Sequence, residues 1–470
     1  MSDRPSVFIL SIDSLRRDRF EDAMADIANS IDPVVFPNTV SSASQTISAM
    51  PGLSASLYHD SFPTWGFPND GSRTNMAEVL QNEGYETALF TDNYLFGVQY
   101  NHDRGFTSGN LGRPTLKKRL AVKLKERDTT KPLFKLGEWT YFNLFKPVRD
   151  AMPGDETFYR SAEDLNANAM RWLDREQPET FLCWVHYMDT HHPFEPPQEY
   201  MEQFEFNEKR SRSELGEFTR KACKSNGEGL LQAELEDVDT AYDACCAYLH
   251  DEMTRFIDEL VEKSHFDPDE DILVLTSDHG QCLDREKGVL GHTPPAFWEE
   301  IMNVPLAISR PDWGAGTVDG QVNLIDMMPT VLDAVGAPIP DDIDGEPSSD
   351  PKELPVSHTT FVSQWLSPGD GEIQTYRGVR SEDGWKLFGR QIDGEDEVVL
   401  TKYDVDDPEN EELIYKSRGT TGPRSGEAAE RWDDLLEAVE AHGPALEIGD
   451  DAVETSTEVR EHLKSLGYVE

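Results

Sequence analysis

Positive charge is what this 470-residue chain has least of. Seventeen lysines and 26 arginines stand against 90 Asp and Glu, a formal net charge of −47. A polyanion is repelled by the nucleic-acid backbone, so the body of the chain is excluded as a non-specific nucleic-acid binder. Cysteine is also sparse. The five present (Cys183, Cys223, Cys245, Cys246, Cys282) are odd in number and form no CxxC pair, which excludes a disulfide framework and a zinc finger. Long apolar runs are missing as well. Val7-Phe8-Ile9-Leu10 stops at Asp13, too short for a signal-peptide core, and nothing later approaches a membrane span. The expectation is a soluble, cytoplasmic protein without internal repeats.

What is present suffices for a packed core: 37% hydrophobic and 10% aromatic residues set the chain apart from disordered acidic polymers. The acidic excess runs from end to end. In molar salt the screening length shrinks to roughly 3 Å, and dense carboxylates then repel one another little. With lysine so scarce, this points to a salt-accumulating organism, a halophilic archaeon.

Apolar runs bounded by turn signals alternate with helical stretches. Strands are expected at Val7–Ile12, Glu86–Thr91, Thr180–Tyr187 and Asp271–Thr276. Helices are expected around 17–30 and at Met76–Glu83, Glu163–Arg175 and Val238–Lys263. This alternation predicts an α/β domain on a mostly parallel sheet flanked by helices, with its chemistry at the carboxyl ends of the strands. Pro, Gly, Ser and Asp dominate Pro338–Pro355. The chain is therefore divided into a catalytic domain over 1–340, a linker over 341–355 and a small α+β subdomain over 356–470. In that subdomain Tyr376–Arg390 and Glu397–Val405 read as antiparallel strands and Ala428–Ala441 as a helix.

Three strand ends carry unusual polar groups: Asp13-Ser14 after the first, His186 through Asp189-Thr190-His191-His192 on the third, and Ser277-Asp278-His279-Gly280 on the fourth. One such Asp is adequately explained as the cap of a following helix. Three ends carrying carboxylates and imidazoles in one α/β domain favour a divalent metal.

These segments resemble the sulfatase family of the alkaline-phosphatase superfamily. Ile12-Asp13-Ser14-Leu15-Arg16-Arg17-Asp18 looks like the family's opening strand, and Ser277-Asp278-His279-Gly280 like its second metal-binding segment. Gly291-His292 with Asn303-Val304-Pro305-Leu306 resembles the segment bearing an active-site histidine or lysine. Asp326-Met327-Met328-Pro329-Thr330 is similar to its Asp-x-x-Pro-Thr helix, while Trp385-Lys386-Leu387, Tyr403–Glu409 and Leu463–Tyr468 echo its C-terminal pattern. The resemblance implies an alkaline-phosphatase-like fold, one divalent cation (Ca, Mg, Mn or Zn) on Asp13, Asp278 and His279, and a sulfuric or phosphoric ester substrate. Binuclear relatives use an Asp with a His four residues on. Here position 193 is Pro, so a second metal, held by His191 or His192 with Asp189 and His292, is the weaker expectation.

The nucleophile segment departs from the family, which places Cys or Ser in C/S-x-P-S-R. Aligned on Leu57-Tyr58, this chain has Thr46 at the nucleophile and Met50 at the arginine, with Ser44 and Ser48 as runners-up. Thr46 must then attack as a plain alkoxide, which requires a metal or a base beside it. His192 and His292 are expected to flank it and move protons, and Asn93 and His191 to bind substrate; a turn residue at 93 and a solvated loop at 191 are the plain alternatives.

The expected function is a metal-dependent hydrolase of sulfate or phosphate esters, acting on a small-molecule, glycan-linked or lipid-linked substrate through a covalent intermediate. Alternatives are a phosphodiesterase, a head-group phosphotransferase, or a catalytically inactive binding protein. One segment breaks the charge rule. Between Arg113 and Arg149 eleven basic residues face three acidic ones, interleaved with aromatics. It is either a basic amphipathic insertion that touches anionic membrane or a helical insertion packed on the body.

Overall fold

A computed structural model describes residues 4–62, 64–111, 157–284, 287, 289–292, 297–350, 359–366, 374–391, 397–419 and 421–443. The basic stretch 113–149, the linker residues 351–355 and the 463–468 segment lie outside the described residues.

The central strands are β1 (Val7–Ile12), β2 (Glu86–Thr91), β3 (Phe181–Tyr187), β4 (Ile272–Ser277) and β5 (Leu306–Ser309). Among the described residues they belong to an eight-stranded sheet with β1 near its middle, flanked by β3 and β4; β2 lies beyond β3 and β5 beyond β4. All these pairings are parallel except β4 with β5. Every residue of β1, β3 and β4 is buried, as befits strands covered on both faces, whose sequences read as continuous apolar runs.

Alternate side chains of β1 feed two cores. Phe8, Leu10 and Ile12 face α1 (Glu21–Ile31), α4 (Ala162–Glu176) and α5 (Gln232–Glu262). Val7 and Ile9 face α2 (Thr46–Ala55), α3 (Met76–Asn82) and α6 (Met327–Ala334). Both faces are thus helix-covered, the mostly parallel α/β architecture expected from the alternation of elements.

Beyond the sheet, β6 (Thr359–Leu366), β7 (Gln374–Ser381), β8 (Trp385–Gln391), β9 (Glu397–Tyr403) and β10 (Glu411–Arg418) form an antiparallel meander in sequence order. Helix α7 (Glu427–Ala441) packs on it through Trp432 and Leu435, in a core shared with Tyr58 and Ile325 of the main body. The run at 376–390, read as one strand, is two. Gly384 at φ +96° makes the turn, in a backbone region that favours glycine. Residues 341–350 do not hang free. Asp344 N–H donates to Ser56 O at 2.8 Å and Glu346 N–H to Asp326 Oδ1 at 2.9 Å.

Candidate active site

Parallel register aligns the strand ends. Ile12 lies beside Ser277 on one side and Tyr187 on the other, so Asp13 and Asp278, the next residues on β1 and β4, leave the sheet together. Backbone bonds continue past the strands: Asp13 N–H donates to Tyr187 O at 2.9 Å and Asp278 N–H to Ile12 O at 3.1 Å. Gly280 is required by close approach, since a Cβ there would stand 2.0 Å from Glu300 O.

Asp13 is the hub. Its Oδ1 accepts from Ser14 Oγ at 2.8 Å; its Oδ2 accepts from Asn93 Nδ2 at 2.6 Å and from Thr46 Oγ1 at 3.1 Å. Thr46 Oγ1 is also 3.4 Å from His279 Nε2. That nitrogen stands 3.9 Å from Asp13 Oδ1 and 3.7 Å from Asp278 Oδ2. His279 Nδ1 is within 2.9 Å of Gly280 O, an arrangement that makes Nδ1 the donor and leaves Nε2 to face the carboxylates. Thr46 opens α2, where the first amides have no partner within the helix, so the hydroxyl sits at the positive end of a buried helix.

The carboxylates crowd each other. Burial and the charge of Asp13 push the Asp278 carboxyl well above its usual range. Burial would raise Asp13 too, but the imidazoles of His191, His186 and His279 outweigh it and hold that carboxyl well below. Asp278 Oδ2 is buried and accepts no hydrogen bond. Two fully buried carboxylates, one with an oxygen lacking a donor, form an arrangement that a divalent cation completes. Asp13, His186 and Asp278 each offer a ligand atom within 4.8 Å of the others, and His279 Nε2 lies within 4 Å of both carboxylates. The donor set of carboxylates and imidazoles fits Mn or Zn chemistry.

His186, noted at the end of its strand but given no role from the sequence, belongs to this group. Its Nδ1 meets Ser11 Oγ at 2.8 Å, and its Nε2 lies 3.3 Å from Asn93 Nδ2 and 3.8 Å from Asp13 Oδ2. The available signal is a lone imidazole in the otherwise apolar strand Phe181–Tyr187, in a row with polar Ser11 and Thr91 of the neighbouring strands.

A second group of imidazoles adjoins the first. Ring centroids of His279 and His292 are 4.4 Å apart, and His292 lies 5.3 Å from His191 and 5.9 Å from His192. His292 Nδ1 is 2.8 Å from Gln281 Oε1. Burial, then the neighbouring imidazoles of His279, His191 and His192, keep His292 well below the usual imidazole range. His191 is buried rather than solvated, with Nδ1 2.6 Å from the His192 carbonyl. Ring nitrogens of His191, His192 and His292 come within 4.8 Å of one another. The rings of His191 and His192 stack at 4.3 Å with 22° between planes. Asp189, the other residue considered for a second metal, accepts from Ala162 N–H at the start of α4 through Oδ1, at 3.2 Å, while its buried Oδ2 has no hydrogen-bond partner.

The runner-up nucleophiles point elsewhere. Ser44 Oγ donates to Gln364 Oε1 of β6 at 2.9 Å, and Ser48 Oγ is 2.7 Å from His59 Nδ1. Met50, at the position of the family's arginine, is buried in the core under β1. Asn93 is both turn and donor: Oδ1 accepts from Leu95 N–H at 2.7 Å while Nδ2 holds Asp13.

The chain shows similarity to known proteins in both sequence and fold. It is 29% identical over 215 residues to the uncharacterized sulfatase YidJ of Escherichia coli (strain K12), covering 40% of this chain and 41% of that protein. It is 24% identical over 330 residues to arylsulfatase K of Homo sapiens, covering 63% and 54%. The chain thus spans about half the length of the curated relatives it matches. In fold it is similar to a phosphonate monoester hydrolase from Silicibacter pomeroyi (TM-score 0.64, 17% identity, 93% of this chain and 94% of that one). The same holds for a phosphonate monoester hydrolase of Agrobacterium radiobacter (TM-score 0.61, 18% identity, 87% and 90%). The sulfatase family model matches residues 5–337, which takes in every strand of the large sheet and every side chain of the site, and on that match the chain belongs to the sulfatase family.

Proposed function

We propose that the chain is a metal-dependent hydrolase of sulfate or phosphate esters in which Thr46 is the nucleophile. The observation that supports this is the Thr46 hydroxyl, at a buried helix start, 3.1 Å from Asp13 Oδ2 and 3.4 Å from His279 Nε2. Asp13, Asp278 and His279 are the residues to hold one divalent cation, with His186 beside them. Such an ion lowers the pKa of a hydroxyl and offsets charge on the transferred group.

The chain's own side chains account for the rest. Asn93 fixes Asp13 so that its carboxylate faces Thr46. Thr46 Oγ forms a bond to sulfur or phosphorus as the bond to the leaving-group oxygen breaks. The hydroxyl proton passes through the imidazole group of His191, His192 and His292 to that oxygen. Water then attacks the threonine ester, and one of its protons returns to Thr46.

Two specific features favour phosphoryl transfer, including phosphodiester cleavage or head-group transfer, within the same reading: a plain hydroxyl at the nucleophile, and Met50 where the family carries arginine. An inactive binding protein has no use for this set of buried carboxylates and imidazoles. We further assign the chain to a salt-accumulating, haloarchaeal cytoplasm, and the basic stretch 113–149 to contact with an anionic, membrane-linked substrate. Among the described residues no helix is long and apolar enough to cross a membrane.

The test is turnover of aryl sulfate, aryl phosphate and a phosphodiester in molar KCl, with Mn, Zn, Mg or Ca added in turn. Turnover that depends on the cation and vanishes in Thr46→Ala supports the reading; none with any cation defeats it.

A further inference from the structure

Two cavities outside the candidate active site are lined with opposite charge. One, of about 940 Å³, carries five carboxylates (Glu179, Asp267, Asp269, Glu270 and Asp271) against Arg4 and Lys263, as the composition of the chain would suggest. The other, of about 640 Å³, reverses the pattern. Arg160, Arg171 and Arg175 line it, and among the described residues no Asp or Glu does. Arginine makes up 26 of the 470 residues, so three around one cavity is a local concentration in a chain of net charge −47.

One helix face builds most of this wall. Asn168, Arg171, Trp172 and Arg175 stand at i, i+3, i+4 and i+7 on α4, so they share a side. Trp172 seats that side on the sheet: it is buried against Phe90 of β2, with ring centroids 6.3 Å apart. Ser108–Gly109, the last strand of the sheet beyond β2, adds a further wall, and Arg160 comes from the segment that leads into α4.

Two of the three guanidinium groups keep open donors. Arg171 donates only to neutral acceptors, Ala167 O at 2.9 Å and Asn168 Oδ1 at 2.7 Å. Arg160 has Asp92 Oδ1 3.7 Å from its Nε, an ion pair too long for a hydrogen bond. Arg175 is the committed one, with Glu176 Oε1 2.7 Å from Nε. A planar guanidinium offers paired N–H donors at the spacing of two oxygens on one sulfur or phosphorus. In molar salt the screening length is roughly 3 Å, so diffuse attraction fades and direct N–H···O contacts are what retain an anion.

We infer that this cavity is a second anion site, apart from Thr46, in which Arg160 and Arg171 hold a sulfate or phosphate group, free or carried on a larger molecule. Its position ties it to the candidate active site. Arg160 N–H donates to Asp92 Oδ2 at 3.1 Å, and Asp92 precedes Asn93, which holds Asp13. On the other side of Arg160, Tyr159 Oη lies 3.2 Å from His191 Nδ1. The inference does not rest on the ester-hydrolase reading, and a chain that turned over no ester would still bind here.

The test is calorimetric titration of the full chain in molar KCl with inorganic sulfate, inorganic phosphate and glucose 6-sulfate. Wild type is compared with the double variant Arg160→Gln/Arg171→Gln, whose Thr46 site keeps all its side chains, so binding at that site is common to both. Wild type is expected to take up one further anion, with an affinity that the double variant lowers at least about tenfold. Inorganic sulfate binding as tightly as glucose 6-sulfate assigns the site to a free anion; tighter binding of the sugar ester assigns it to a carried group. Wild-type crystals soaked in selenate give a reading that needs no variant: an anomalous peak beside Arg160 and Arg171. Equal titrations of wild type and double variant, or selenate confined to the Thr46 site, overturn the inference.

Discussion

The hydroxyls of Thr46 and Ser48 lie two residues apart on one helix and do different work. Thr46 Oγ1 faces Asp13, while Ser48 Oγ binds His59, whose other nitrogen lies 3.2 and 3.1 Å from the carbonyls of Thr64 and Trp65. Burial holds His59 down to about 4, so its neutral ring is an acceptor for Ser48 across the ordinary pH range. Thr46→Ala is therefore expected to abolish turnover with a small change in melting temperature. Ser48→Ala is expected to keep turnover and lose about 1–2 kcal/mol, because it strands a buried ring nitrogen. A urea melt with an ester assay on both variants checks this, and the reverse pattern would reassign the nucleophile. Asp278 supplies a second contrast. Burial and the neighbouring charge of Asp13 disfavour its ionised form, a cost that falls on the fold when no cation is bound. Asp278→Asn is expected to raise the melting temperature in chelator and to lose the further rise that wild type shows when the activating cation is added. Differential scanning calorimetry with and without the cation reads both.

Among the elements, the joint between the meander and the main sheet is held by buried charge. Glu299 accepts from Arg380 at 2.8–3.1 Å and pairs with Lys386 at 3.0 Å; Lys386 also reaches Glu411 at 2.9 Å. Burial opposes ionisation of Glu299, but Arg380 and Lys386 outweigh it and lower the carboxyl from 4.5 to about 2. A carboxyl depressed in the folded state contributes its stability above the unfolded value, about 4.5, and loses it as pH falls through about 2. Glu299→Gln should thus be clearly less stable than wild type at pH 6, with the gap narrowing between pH 4.5 and 2. Denaturant midpoints at three pH values test that, and a gap independent of pH would show that the network owes nothing to ionisation.

This joint was not legible in the sequence, because each partner reads alone as a surface charge and only long-range pairing buries them. The strands were legible for the opposite reason. Val7–Ile12 and Ile272–Ser277 are covered on both faces, so their apolar runs are unbroken. Helix α5 begins at Gln232, six residues before its expected start, because its buried stripe opens only at Asp237 and Val238. Within the site, Asp13, Asp278 and His279 stood out as polar residues just past strand ends. His186 was visible at its strand end but drew no role, because a single imidazole inside a strand usually packs as core.

For the whole molecule, charge sets the working conditions. Forty-seven uncompensated negative charges repel one another when the screening length grows to roughly 10 Å at 0.1 M. The melting temperature is expected to climb from dilute buffer to molar KCl. A flat profile would mean that the acidic surface is not an adaptation to salt.

The bond from Ser44 to Gln364 carries a consequence for anyone who recombines such chains. Gln364 Oε1 receives both the N–H and the hydroxyl of Ser44, and Ser363 N–H donates to Ser42 O at 3.0 Å, so β6 grips the loop that delivers Thr46. No catalytic or metal-binding side chain proposed above comes from the meander, yet its first strand fixes where the nucleophile stands. A chimaera joined near residue 340 therefore inherits its reactive threonine from one parent and that threonine's aim from the other. Grafts that replace Gln364 should fold with the cation site intact and turn over poorly, and restoring Gln364 should recover the rate.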